Sequence, residues 1–175
     1  TLDTSVVAEG VESDLQARDI QFNNYTFLKD AEKRFDLSVR LWKPAKGAHL
    51  ALYPNLNAAD PIWRTLLRDV RFRRALSLSV NRYEINRVVY FGLAIEGNNT
   101  VLPESPLFRR EYQKAWAEFD LNRANALLDE IGLTQRDGRG VRLLPDGRPL
   151  EIVVETAGEE SEQTDVLELM RDSLL

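Results

Sequence analysis

Any chemistry in this 175-residue chain has to be built from few kinds of side chain. It contains one histidine, His49, and no cysteine. Disulfides, zinc–thiolate sites and thiolate nucleophiles are therefore excluded, a cluster of histidine ligands is impossible, and a Ser-His-Asp relay could run only through His49. His49 stands beside Leu50, Ala51 and Leu52, and the chain has no serine in a glycine-flanked elbow. That setting reads as a structural histidine. The carboxylate pairs Asp129/Glu130 and Glu159/Glu160 have the composition for acid–base work, but such pairs on helix surfaces and loops are ordinarily solvated. Gly132, Gly138, Gly140 and Gly147 form no phosphate-cradling pattern ahead of a helix. Arg71, Arg73, Arg74 and Arg82 share their segments with Asp69 and Glu84 and read as a salt-bridged helix surface, with Arg73 or Arg74 expected on a carboxylate or a helix-end carbonyl. Trp63 and Trp116 read as core or interface anchors rather than ligand-stacking platforms. No catalytic residue, metal ligand or cofactor is expected.

The totals are ordinary for a soluble globular domain. Apolar residues make up 43% and charged residues 29% of the chain, with a formal net charge of −5. The arginines cluster between Arg64 and Arg87, but the acidic excess elsewhere argues against a nucleic-acid partner. No apolar run is long enough to cross a bilayer, and Thr1 to Gly10 lacks the basic end and apolar stretch of a signal peptide. There is no internal repeat or low-complexity tract.

The elements that must position any site follow from caps and periodicity. Asp14 to Ala17 reads as a short strand. Asn23 or Asn24 is expected to cap a helix over 25–34, with Phe27, Leu28 and Ala31 on one face. Asp60-Pro61 opens a helix near 61–67. Asp69 caps a second near 70–79, with Val70, Phe72, Ala75, Leu76 and Val80 at helical spacing. Asn81 and Glu84 have capping-box spacing for a third near 82–91, with Ile85, Val88 and Val89 inward and Gly92 at its end. The stretch 96–110, with Gly97, Pro103 and Pro106, reads as a long loop. Asp120 starts a helix near 121–131 whose inner face is Ala124, Leu127, Leu128 and Ile131, stopped by Gly132. A last amphipathic helix near 160–174 uses Val166, Leu167, Met170 and Leu174. Strands are expected near 36–42, 49–54 and 149–156, and Val141 to Leu144, Pro145-Asp146-Gly147 and Leu150 to Thr156 read as strand, turn, strand. The fold class is thus α/β (mixed α+β). The chain stops on its last helix with no closing turn, which reads as a boundary inside a longer protein.

The order of these elements has a familiar look. Asp69-Val70-Arg71-Phe72-Arg73-Arg74-Ala75-Leu76, running on to Asn81-Arg82, resembles the signature helix of solute-binding proteins of the peptide/nickel/opine class, which serve ABC transporters. That family shows D-x-R-[FV]-R-x-A-[LI] ending in D-R or N-R. Glu84-Ile85-Asn86 and Tyr90-Phe91-Gly92 are similar to its continuation. Phe119-Asp120, Ala124, Leu127-Leu128 and Gly132-Leu133 resemble its aromatic-Asp-Pro-x-x-A-x-x-L-L-x-x-x-G-L helix, and Asp146-Gly147-Arg148-Pro149-Leu150 its D-G-x-P-L strand start. Asn81 stands in place of the commoner aspartate and Leu121 in place of proline, and neither change removes a cap. The likeness covers about residues 10 to 175.

The resemblance implies a two-lobed, type II periplasmic-binding-protein-like fold, with 1–56 as the end of the first lobe and hinge-side strands and 57–175 as the first half of the second. It implies capture of a solute, in most relatives a peptide, by lobe closure. It also implies delivery to an ABC permease in the membrane from a periplasmic or extracellular, membrane-associated position, with no nucleic acid and no cofactor involved. A noncatalytic sensor or interaction module on the same lobe is the alternative, and a hydrolase using His49 a more distant one. In open α/β sheets ligands sit beyond the carboxyl ends of strands. The resemblance places the loop after strand 150–156 at the inter-lobe cleft. The candidate ligand-binding residues are therefore Thr156, Ala157, Glu159 and Glu160, with Asn55 closing the strand near 49–54. Two carboxylates and no arginine on that loop point to a cationic ligand group.

Overall fold

The protein is described by a computed structural model covering residues 20–42, 46–157 and 161–174. The strand expected at 14–17 lies outside them. The chain divides into two compact units, Thr1–Ala45 and Lys46–Leu175.

In the first unit, a 3₁₀ turn at Phe22–Asn24 leads into helix α1 (Tyr25–Ala31). This corrects the expected helix over 25–34: the backbone of Asn24 occupies the cap position, but its side chain makes no capping bond, because the preceding 3₁₀ turn already holds it in helical geometry. Leu28 and Ala31 are buried under Phe35, Leu37 and Val39, while Phe27 is about half exposed. The Glu32 carboxylate accepts from the Val39 amide at 2.5 Å, so the returning segment is held by a charge-assisted bond.

The second unit is built on six helices: α2 (Pro61–Arg68), α3 (Val70–Leu78), α4 (Arg82–Val89), α5 (Arg110–Lys114), α6 (Leu121–Glu130) and α7 (Ser161–Leu174). Each expected cap forms. Asp60 accepts from the Ile62 and Trp63 amides with Pro61 in the first turn. Asp69 accepts from Arg71 N at 2.8 Å and Asp120 from Arg123 N at 2.9 Å. Asn81 accepts from Glu84 N at 3.2 Å, and its side-chain amide donates to the Glu84 carboxylate at 3.1 Å, so the two side chains brace the cap although the return bond does not go to the Asn81 backbone. Gly132 ends α6 at φ +87, a left-handed geometry that favours glycine. Leu133 N then donates to Leu128 O at 3.0 Å and carries the Leu133 side chain into the core. The short helix α5 was not expected from its loop-like surroundings.

The core forms where α3 crosses α2 and α6. Phe72 and Leu133 are fully buried with Leu66 and Leu144, and Trp63, Leu76, Leu128 and Leu150 pack around them. Trp63 meets Phe72 edge-on at 6.3 Å between ring centroids. Ala75 and Ala124 are both buried beside Leu78, and these small side chains let α3 and α6 approach closely. A second cluster joins α4 to α7 through Ile85, Val166 and Met170. The inner face of α3 is thus Phe72, Ala75 and Leu78. Leu76 and Val80, expected to be buried, are only partly covered, Val70 is 44% exposed and Val88 of α4 is 58% exposed. In each case the buried stripe is narrower than the run of apolar residues.

The expected strands differ more. Among the described residues no segment near 36–42, 49–54 or 149–156 forms a strand ladder; the antiparallel pairing consists of the isolated bridges Arg136↔Arg142 and Leu143↔Pro149. The strand–turn–strand reading therefore survives as a tight turn: Gly147 N donates to Leu144 O at 2.9 Å and Gly147 adopts φ +85. A strand needs a neighbour to pair with, and the pairing here stops at Leu150, whose N donates to Arg142 O at 2.7 Å; among the described residues no ladder continues over 151–156. The sheet half of the α/β class is accordingly not seen in these elements.

The arginines also depart from the salt-bridged surface expected of them. Arg71 does pair with Asp69, at 2.7 Å. Arg73 donates to Leu67 O at the end of α2, the helix-end carbonyl pairing expected of it or Arg74, whereas Arg74 lies 4.4 Å over the Trp116 ring. Arg82 is largely buried and donates to Ser77 O, Ser77 Oγ, Ala117 O and Asn98 Oδ1. Burial pulls its guanidinium below the ordinary arginine range, partly offset by the Glu118 charge.

Arg142, 7% exposed, donates to the Asp129 carboxylate, Leu133 O and Asn125 Oδ1. Period-two alternation puts it on the same side as buried Leu144, a signal present in the sequence. Two outcomes follow. Phe72→Ala should lower the unfolding free energy by about 3–5 kcal/mol in urea titration, because it empties the best-packed site. Arg142→Ala should cost about 2–4 kcal/mol by leaving buried carbonyls unpaired, whereas exposed Arg139→Ala should be close to neutral in the same assay.

Candidate functional site at the start of the last helix

The first turn of α7 gathers side chains from distant parts of the second unit. Glu162, whose side chain is 16% exposed, accepts from Tyr90 just beyond α4 at 2.6 Å and lies 3.1 Å from His49 Nε2. The two rings meet edge-on, their centroids 5.8 Å apart. His49 holds the Glu162 carboxyl below the usual carboxylate range; burial opposes this and the Tyr90 hydroxyl adds to it. Burial and the same carboxylate push the Tyr90 phenol far above its ordinary range, so it stays a hydrogen-bond donor.

The segment that delivers His49 is itself placed. A Cβ at Gly47 would fall 1.7 Å from Thr100 O, so only glycine allows that backbone approach. Asn99 Nδ2 donates to Tyr53 Oη at 3.3 Å. On the other side of α7's first turn, Thr156 Oγ1 donates to Gln163 Oε1, which ties the end of segment 150–157 to the residue after Glu162.

Of the expected ligand-binding residues, Thr156 is therefore brought to the start of α7, and Ala157 follows it, exposed. Glu159 and Glu160 lie outside the described residues. Asn55 is exposed and its carboxamide accepts from Asn57 N at 3.0 Å, while its carbonyl accepts from Ala58 N at 3.2 Å. These bonds build a local turn ahead of α2, and among the described residues no hydrogen bond joins Asn55 to Thr156. Sequence reasoning did not find Glu162, Tyr90 or Gln163 as partners. An acidic residue in a first helical turn is favoured by the helix dipole, so Glu162 alone gave no reason to look for His49, 113 positions away.

Chemically, this arrangement fixes a carboxylate between two donors and ties Thr156 to the first turn of α7. The hydroxyl standing with the His49–Glu162 pair is a phenol held as a donor, which suits a scaffold and not a nucleophile. Among the described residues no group of three or more His, Asp or Glu side chains could hold a metal ion, and no described helix is long and apolar enough to cross a membrane.

Residues 7–174 match the family described as bacterial extracellular solute-binding proteins, family 5 Middle. Among solved structures the chain is similar to an oligopeptide-binding protein OppA, with 42% sequence identity and a TM-score of 0.64, over 68% of this chain and 18% of that one. The chain thus spans a minor part of that relative's length. No curated protein sequence matches it. The likeness to OppA supports the type II periplasmic-binding-protein fold expected from the motif order. With nearly the whole chain matched, this protein belongs to the family 5 bacterial extracellular solute-binding proteins.

Proposed function

We propose that the protein captures a solute, most simply a peptide, for an ABC importer. The observation that supports this most directly is the match to the solute-binding family across residues 7–174, together with 42% identity to a protein named for oligopeptide binding. On this reading the protein works outside the cytoplasmic membrane, in the periplasm or at the cell surface. It hands its ligand to a membrane permease and catalyses no reaction. The physics is population shift: a ligand that touches both lobes binds the closed state better than the open one, and its differential affinity sets how far closure goes.

In this proposal residues 1–56 end one lobe and 57–175 begin the other. The helices around Phe72 serve as scaffold: the arginines of α3 and Arg82 are spent on Asp69, helix-end carbonyls and Trp116. The ligand is proposed to meet the loop from Thr156 to Ser161, with Asn55 as a further polar contact. Thr156, where that loop begins, is held to α7 by its bond to Gln163. Glu159 and Glu160 follow it without an intervening cation, so the ligand group they face would be a peptide amino terminus or a basic side chain.

Calorimetry on the full-length protein with short lysine-containing and lysine-free peptides tests both parts. At least one peptide should bind. The double variant Glu159→Gln with Glu160→Gln should weaken the lysine-containing peptides about tenfold or more and leave unfolding unchanged. Equal affinities for variant and wild type would remove the acidic loop from the site, and no binding of any peptide would remove peptides as the ligand class.

A further inference from the structure

We propose that His49 is a pH-sensitive pin that fastens the segment 46–53 to the first turn of α7. The inference goes beyond solute capture and holds whichever solute is bound. It starts from geometry. One carboxylate, Glu162, joins three stretches of chain that are remote in sequence: His49 reaches it at 3.1 Å from one and Tyr90 at 2.6 Å from another. The two donors differ in one respect. The Tyr90 phenol keeps its proton across all ordinary pH, because burial and Glu162 both push it upward. An imidazole ordinarily gains its second proton as pH falls through about 6.5. The same contact is then a hydrogen bond from a neutral imidazole to the carboxylate in alkaline solution and an ion pair in mildly acidic solution.

The charged and titratable groups described around the pair are few. Glu162 and Tyr90 face the imidazole, and Lys46 acts on Glu162 from the start of the same segment, helping to hold the carboxyl low. Half of the His49 side chain is exposed, so protons reach it freely, while Glu162 is mostly covered and keeps its place. The sign follows from the two groups. The folded carboxyl is depressed, so the stability it contributes is present above its ordinary value of 4.5 and is lost only as pH falls through the lower folded value. The histidine contributes its ionic share below about 6.5 and loses it as pH rises. The pin is therefore tightest in the window between them. Tightening acts on segment 46–53, whose other described ties are the Gly47 approach to Thr100 and the Asn99–Tyr53 bond. It also acts on α7's first turn, which anchors Thr156 through Gln163.

The test compares wild type with His49→Gln, Glu162→Gln and Tyr90→Phe in the full-length protein, by thermal unfolding at pH 5.5 and pH 8. His49→Gln and Glu162→Gln should each lose about 1–3 °C more at pH 5.5 than at pH 8. Tyr90→Phe should show the same loss at both. Hydrogen exchange in the wild type, corrected for the intrinsic effect of pH, gives a reading free of substitutions: opening of 46–53 should be about two- to fivefold rarer at pH 5.5. By NMR, the His49 titration midpoint should fall in Glu162→Gln. Melting losses that are equal at the two pH values, or a His49 midpoint indifferent to Glu162, would overturn the proposal.

Discussion

Asp69 is the point on which the second unit turns. Its backbone is extended, at φ −71 and ψ 121, between two helices that would otherwise run together. It ends α2 through its own amide, which donates to Thr65 and Leu66 carbonyls, and starts α3 through its carboxylate, which accepts from Arg71 N. One residue thus closes one helix and opens the next, and the bend between them is what points Leu66 and Phe72 into a common core. Arg71 closes the arrangement with its guanidinium on the same carboxylate and holds it well below the usual range. The charge available to cap α3 therefore persists to lower pH than that of an ordinary aspartate. Everything packed on Phe72 inherits its position from that bend: Leu133 after α6, Leu144 in the turn, Trp63 on α2.

The arginine-rich stretch looked, from composition, like a charged surface. The structure gives the guanidiniums a different use. Helix ends leave carbonyls unsatisfied, and an arginine can donate to several at once because its five N–H groups are fixed in a plane. Arg73 takes the last turn of α2, Arg82 gathers the end of α3 with the 116–117 backbone and Asn98, and Arg64 and Arg68 tie back to the carbonyls of Ala58 and Leu56. Arg82 does this while largely buried, with neutral oxygens as its direct partners, at the cost of a depressed affinity for its proton. Trp116 sits at φ +60, an unusual backbone for a bulky residue, with Arg74 and Arg123 at 4.4 and 4.0 Å from its ring. Such sites describe a scaffold in which arginines of the signature stretch make connections from side chain to backbone.

The helices of the second unit were legible because their information is local. Asp60-Pro61, Asp69, Asn81 with Glu84, and Asp120 each state a start within four residues, and the bounds agree with the caps. The buried face was legible only approximately, since the apolar run of α3 is wider than the stripe that α2 and α6 cover. Strands were the weakest reading, for a physical reason: alternation at 36–42 or the β-branched run at 150–156 records a preference, whereas a strand exists only through a neighbour elsewhere in the chain. Thr156 was expected at the end of a strand ahead of the last helix, and the structure brings it to the start of that helix through its bond to Gln163. The His49–Glu162–Tyr90 junction could not, since neither its 113-residue nor its 72-residue separation leaves a local pattern. Arg142 lies between these cases: alternation with Leu144 marked its side, but a charged residue there reads as an error in the pattern until its carbonyl partners are known.

The exposed side chains of segment 150–154 sharpen the relation between fold and role. Ile152, Val153 and Val154 are 37%, 79% and 43% exposed in succession. Consecutive β-branched residues point to opposite faces of an extended chain, so both faces of this segment are apolar. A half-solvated strand has no use for that composition; a strand covered on both sides requires it. Such a composition is that of a strand covered on both faces, although the described residues pair none of 151–156 in a ladder. Helix α7, which follows, is held by Val166 and Met170 against Ile85 and by Glu162 against two donors.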